Sequence, residues 1–142
     1  MKKNIDIDIS VPSNTRYLRM ISKIGEKVAE EIDCPEKIRE TLPCQLAVVL
    51  TEGLVNAIKH AGGKASDNDI HVRINFANKD LMVRIYDNGV GFDLDAVPTP
   101  NFTAHDLDGK GRGIFILRSL MDSVKYTRSD NGNVLEMRKK LA

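Results

Sequence analysis

Residues 70–92 read Ile70-His71-Val72-Arg73-Ile74-Asn75-Phe76-Ala77-Asn78-Lys79-Asp80-Leu81-Met82-Val83-Arg84-Ile85-Tyr86-Asp87-Asn88-Gly89-Val90-Gly91-Phe92. Apolar side chains take alternate positions from Ile70 to Phe76 and again from Leu81 to Ile85, the period of a strand with one buried face. The short turn Ala77-Asn78-Lys79-Asp80 separates the two runs, so the pair predicts an antiparallel hairpin. Asp87-Asn88-Gly89-Val90-Gly91 breaks the pattern at the end of the second strand.

Toward the N-terminus, Leu46, Val49, Leu50, Leu54 and Ala57 mark the apolar face of a long helix. It is expected to start near Pro35, kink at Pro43 and stop at Ala61-Gly62-Gly63. Earlier still, Tyr17, Leu18, Ile21, Ile24, Val28 and Ile32 recur mostly at three- or four-residue steps, predicting a helix ended by Cys34-Pro35. Ser13 or Asn14 can cap it. Ile5, Ile7 and Ile9 alternate with Asp6, Asp8 and Ser10 in a first strand. Toward the C-terminus, residues 93–110 form a loop of a length that compact domains rarely carry without a use, a candidate lid. A helix from about Gly113 to Met121 follows, then strands around Val124 to Arg128 and Val134 to Arg138, joined by the turn signal Asp130-Asn131-Gly132-Asn133. The helices are not interleaved one per strand, which predicts an α+β fold. The expected form is a two-layer sandwich, with a mixed, mostly antiparallel sheet of about five strands and about three helices on one face. A chain of 142 residues has room for a single domain, taken as 1–142.

Composition removes several function classes. Basic and acidic residues number 21 and 20, so no global field draws the chain to nucleic acid. The longest aliphatic run, Leu46-Ala47-Val48-Val49-Leu50, is far short of the roughly 20 residues a membrane span needs. The N-terminus lacks the apolar stretch of a secretory signal, and a cytoplasmic protein is expected. Cys34 and Cys44 form no metal or redox motif and read as packing residues.

Three segments can carry chemistry. Glu52, Asn56 and His60 stand four apart on one face of the second helix. A carboxylate there can activate a hydroxyl or water, and a neutral amide oxygen can ligate Mg²⁺; the same residues would equally form the wet side of an amphipathic helix. Asp87-Asn88-Gly89 is a plain turn signature, repeated at Asp130 to Gly132, but Gly91 two residues on allows close approach of a ligand to the backbone. The strand-end carboxylate can accept a hydrogen bond from an exocyclic amine such as that of adenine. Gly109-Lys110-Gly111-Arg112-Gly113 leads into a helix, where free backbone N–H groups beside two cations suit a phosphate. It matches neither a Walker loop nor the dinucleotide fingerprint.

The order of these segments, Glu-x-x-x-Asn-Ala-x-x-His, then Asp-x-Gly-x-Gly-Phe, then Gly-x-Gly-Ile-Phe-Ile, resembles the N, G1 and G2 boxes of the GHKL (Bergerat-fold) ATPases. Within that family the chain is most similar to the bacterial anti-sigma-factor serine/threonine kinases, over about Gln45 to Val124. The resemblance implies Glu52 as general base and Asn56 as Mg²⁺ ligand. It further implies Asp87 on the adenine amine, Gly89 and Gly91 beneath the nucleotide, and Gly111 and Gly113 in a lid over the phosphates of ATP. Related kinases often carry an Arg ahead of the first glycine of the last box; Gly109-Lys110 stands there here, and Lys110 or Arg112 would supply the charge. His60 matches a family position and receives no role beyond a structural hydrogen bond. The implied activity is Mg-ATP-dependent phosphorylation of an anti-anti-sigma antagonist, with sequestration of a sigma factor and a homodimer. The alternative is a nucleotide-gated binding module without phosphotransfer. A histidine-kinase reading lacks a dimerisation domain with its phospho-accepting His, and gyrase-like or MutL-like readings lack a transducer domain.

Overall fold

The computed structural model describes residues 4–60, 69–97 and 111–142. In chain order they form β1 (Ile5–Pro12), α1 (Leu18–Glu30), α2 (Glu36–Arg39), α3 (Leu42–Lys59), β2 (Asp69–Ala77), β3 (Asp80–Asp87), α4 (Arg112–Leu120), β4 (Ser123–Ser129) and β5 (Gly132–Lys140). The strands make one sheet in the order β1-β2-β3-β5-β4, and every neighbouring pair is antiparallel. The α+β sandwich stands as expected, with a wholly antiparallel sheet and a fourth, one-turn helix.

Register follows from the alternation. Ile74 faces Val83, which faces Met137, and Val72 faces Ile85, which faces Leu135. These side chains are buried together on one side of the sheet, where each contributes roughly 1.5–3 kcal/mol of transfer free energy. The other side carries Asp6, Asp8, Arg73, Arg84, Glu136 and Arg138, paired across the strands as Asp6–Arg73 and Arg84–Glu136. Asn78 and Lys79, both at positive φ, make the tight turn of the β2–β3 hairpin.

The helices cover the apolar side. Leu46, Leu50 and Leu54 of α3 are almost wholly buried, and α3 packs on α1, α4 and β3. A Cβ at Gly53 would lie 2.4 Å from Ile85 Cδ1, so that glycine lets α3 rest directly on the sheet. This seating sets the height of the neighbouring Glu52.

Several boundaries differ from expectation. Pro43 does not kink a helix begun at Pro35; α2 ends at Arg39, and Pro43 sits in the first turn of a separate helix, where its missing N–H costs nothing. Asn14 caps a 3-10 turn, Thr15–Tyr17, through Arg16 N, and α1 starts after it. Cys34 packs in the core as expected, whereas Cys44 is exposed, because it stands two residues from the buried Leu42 and Leu46 and so lies on the opposite side of α3. Of the expected lid, residues 93–97 hold a 3-10 turn, Leu94–Ala96, and residues 98–110 lie outside the described residues, as does the helix stop at 61–63. Among the described residues, no helix is long and apolar enough to cross a membrane.

Candidate functional site

Glu52 and Asn56, one turn apart on α3, face a cavity of about 380 Å³. Lys59 and His60 continue its wall from the same helix, Phe92 to Val97 close a second side, and Gly111 to Ile114 at the start of α4 close the third. Gly111 caps α4 with φ 81°, a left-handed conformation that glycine adopts without strain. No acidic residue lies in the first turn of α4 itself, and the charge nearest its positive end comes from Glu52 across the cavity. A Cβ at Gly113 would stand 2.9 Å from Glu52 Oε2, so the absence of a side chain there lets the carboxylate and the helix start meet. Glu52, Asn56, Gly111, Arg112 and Gly113 thus share one cavity. Lys110 lies outside the described residues.

Asp87, Gly89 and Gly91 form a second cluster that does not line this cavity. The period that buries Val83 and Ile85 places Asp87 next on the same side of β3, and it is 9% exposed. Its Oδ1 accepts from Gly89 N at 2.9 Å and from Asn133 Nδ2 at 3.0 Å. Gly91 has φ 76°, and a Cβ there would approach Arg128 Nε, Asn133 Oδ1 and Tyr126 Oη at 3.0–3.2 Å. The G1 loop is therefore packed from below by the β4–β5 hairpin.

An aromatic column links the two clusters. His60 stacks on Phe92 with centroids 4.5 Å apart and planes 20° off parallel, and Phe92 meets Tyr126 at 4.2 Å. Burial holds the His60 imidazole below its ordinary value, with Lys59 adding to the shift and Asp87 opposing it. Burial, reinforced by the Asp87 charge, pushes the Tyr126 phenol up to about 12. Both rings are therefore neutral near pH 7 and present apolar faces to whatever enters beside Phe92.

Asn133, Tyr126 and the His60–Phe92 pair were not among the expected site residues; residues 130–133 carry only a turn signal. Asn133 nevertheless precedes Leu135 and Met137 at the strand period. A polar amide on the core side needs buried partners, and that was the available sign.

Glu52 and Asn56 offer this cavity two neighbouring side chains with oxygen donors. The described residues contain no group of three or more His, Cys, Asp or Glu side chains able to hold a metal by themselves. Asn56 beside Glu52 suits Mg²⁺, which keeps one or two protein ligands and takes the rest from phosphate and water.

Residues 11–139 match the family described as histidine kinase-like ATPase domain. A serine-protein kinase RsbW of Listeria innocua is 33% identical over 139 residues, covering 91% of this chain and 83% of that protein. The protein of the same name from Bacillus subtilis is 27% identical over 149 residues, with 99% and 89% covered. Among solved structures, the RsbU and RsbW domains of Rv1364c from Mycobacterium tuberculosis superpose with TM-score 0.66 at 12% identity, over 96% of this chain and 32% of that one. The catalytic domain of histidine kinase ThkA superposes with TM-score 0.56 at 16% identity, over 95% and 96%. With the family matched across nearly its whole length, this chain belongs to the histidine kinase-like ATPases.

Proposed function

We propose that this protein is an ATP-dependent serine/threonine protein kinase that acts as an anti-sigma factor, as a single ATPase domain in the cytoplasm. The observation that carries this reading is the meeting of the Glu52 carboxylate with the open start of α4 across Gly113. A base and a phosphate-binding element then address the same space.

In this scheme the purine lies against Phe92 with its exocyclic amine on Asp87, and the phosphates reach the N–H groups of Gly111 to Gly113, with Lys110 and Arg112 beside them. Asn56 holds Mg²⁺, which supplies neutralisation of the phosphate charge. Glu52 takes the proton of an incoming serine or threonine hydroxyl. The hydroxyl oxygen bonds to the γ-phosphorus, the bond from that phosphorus to the bridging oxygen breaks, and ADP leaves with the electron pair. The acceptor is an anti-anti-sigma antagonist and the sequestered partner a sigma factor, a reading supported by the relatives named serine-protein kinase RsbW. A homodimer is expected, and β1, at the edge of the sheet, leaves a strand open to a second copy.

The test is phosphate transfer from radiolabelled ATP to a candidate antagonist. Glu52→Ala is expected to slow transfer by about 10²–10⁴-fold while keeping ATP affinity; transfer at the wild-type rate would remove Glu52 from the chemistry. Calorimetry with and without Mg²⁺ adds Asn56→Ala, expected to lose the Mg²⁺ dependence of binding. A second reading, a nucleotide-gated binding module without phosphotransfer, is favoured by Gly109-Lys110 standing where related kinases carry an Arg. Tight ATP binding with an unlabelled partner would establish it.

A further inference from the structure

The wall of the cavity that runs from Phe92 to Val97 has little backbone support. Among the described residues, its backbone hydrogen bonds stay inside the segment, from Ala96 N to the Asp93 carbonyl and from Val97 N to the Leu94 carbonyl. Val90, just ahead of it, is 69% exposed, and Gly91 turns the chain at φ 76°. Side chains must therefore place this wall, and Phe92 is the one clamped on two sides. Its ring lies 4.5 Å from that of His60 at the end of α3 and 4.2 Å from that of Tyr126 on β4. Tyr126 belongs to an edge strand and stands opposite the buried Leu135, so it projects to the core side of the sheet. Its phenol oxygen is buried without a hydrogen bond of ordinary geometry among the described residues, so the ring is what it brings to the contact. The planes are tilted by 56°, which sets the edge of one ring toward the face of the other.

We infer that Tyr126 is a positioning residue for the nucleotide cavity, fixing the Phe92–Val97 wall from the edge of the sheet by holding Phe92 against His60. This rests on the proposed occupation of that cavity by Mg-ATP. Tyr126 does not line the cavity, so it acts only through Phe92. Removing its ring leaves Phe92 clamped on one side. The wall then gains freedom that ATP must take away on binding, and affinity falls by that ordering cost. The same loosening admits water to the imidazole of His60, whose affinity for a proton is held down first of all by burial. The edge strand β4 thus reaches the binding site without touching what the site holds.

The test measures Mg-ATP affinity by calorimetry on the full chain for wild type, Tyr126→Phe, Tyr126→Leu and Tyr126→Ala, and follows the His60 ring of each in an NMR titration. Tyr126→Phe keeps the ring and is expected to bind as wild type does. Tyr126→Leu and Tyr126→Ala are expected to weaken ATP by about 2–10-fold, the worth of one aromatic pair. In both, the His60 midpoint is expected to rise toward the ordinary 6.5. A merely structural defect would lower stability and leave these two readouts of the folded protein unmoved. If Tyr126→Ala does not fold, Tyr126→Leu carries the test, because it keeps apolar volume and lacks the flat ring. Wild-type affinity in Tyr126→Leu, or an equal loss in Tyr126→Phe, overturns the inference while wild type still binds Mg-ATP. A wild-type protein that binds no Mg-ATP overturns the nucleotide reading itself, and this inference with it.

Discussion

The tripeptide Asp-Asn-Gly occurs at residues 87–89 and again at 130–132. The two copies lie side by side, since Asp87 pairs with Asn133 and a Cβ at Gly132 would come within 2.8 Å of Asn88 Oδ1. Yet they do opposite things. Asp87 is the last residue of a strand whose alternation points it into the core side, where its charge is held by two donors. Asp130 and Asn131 are exposed at the tip of the β4–β5 turn. Identical composition becomes a buried carboxylate held by two donors or an exposed turn according to the phase of the strand that precedes it.

Exchanging the two aspartates for alanine tests that contrast most directly. Asp87→Ala is expected to cost about 1.5–3 kcal/mol of ATP binding, the worth of a hydrogen bond to a charged group, or roughly 10–150-fold in Kd by calorimetry. Asp130→Ala should leave ATP affinity at the wild-type value, and equal losses in the two would erase the distinction.

Gly132→Ala probes the seam between the copies. Its φ of 126° is one that a side chain adopts only under strain, and the added methyl meets the Asp87 carbonyl at 3.1 Å. Unfolding in urea is expected to show a loss of about 1–3 kcal/mol.

His60 reads the difference electrostatically, because the Asp87 charge pulls its imidazole up while burial and Lys59 hold it down. Its folded value lies below the ordinary 6.5, so the unfolded chain binds the proton first. This contribution to stability is therefore complete above about pH 6.5 and is lost as pH falls below it, until the folded protein protonates too. Asp87→Asn, removing the upward pull, should lower the His60 midpoint in an NMR titration, and Asp130→Asn should leave it unmoved. The smallest effect belongs to Asp130→Ala on stability, within about 0.5 kcal/mol by urea unfolding.

Much of this was readable in the residues. Ile70 to Ile85 gave both strands and their turn because a half-buried strand must alternate, and the face of α3 carrying Glu52 and Asn56 followed from helical spacing. The break between α2 and α3 was hidden because Pro43 fits a first turn as readily as a kink, and only backbone hydrogen bonding decides which. The partnership of Asp87 with Asn133 was hidden for a different reason. It joins residues 46 apart, and the phase of β5 at Asn133 was obscured by the turn signal in front of it. His60 against Phe92 likewise depends on a tertiary contact between the end of α3 and the loop after β3.

The position of β5 inside the sheet has a consequence for how the protein comes to be made. Because β5 lies between β3 and β4, the last strand among the described residues is an interior one. The β2–β3 hairpin can close as soon as both strands exist, whereas β3 must wait for a partner that follows it across the whole α4 segment, a long-range closure that is slow. A nascent chain stopped short of Asn133 has Glu52, Asn56 and both ends of the cavity in its sequence and still lacks the amide that sets Asp87. Competence for nucleotide is then acquired only once β5 has been made, and ATP, by binding only the finished sheet, draws such chains toward it by mass action.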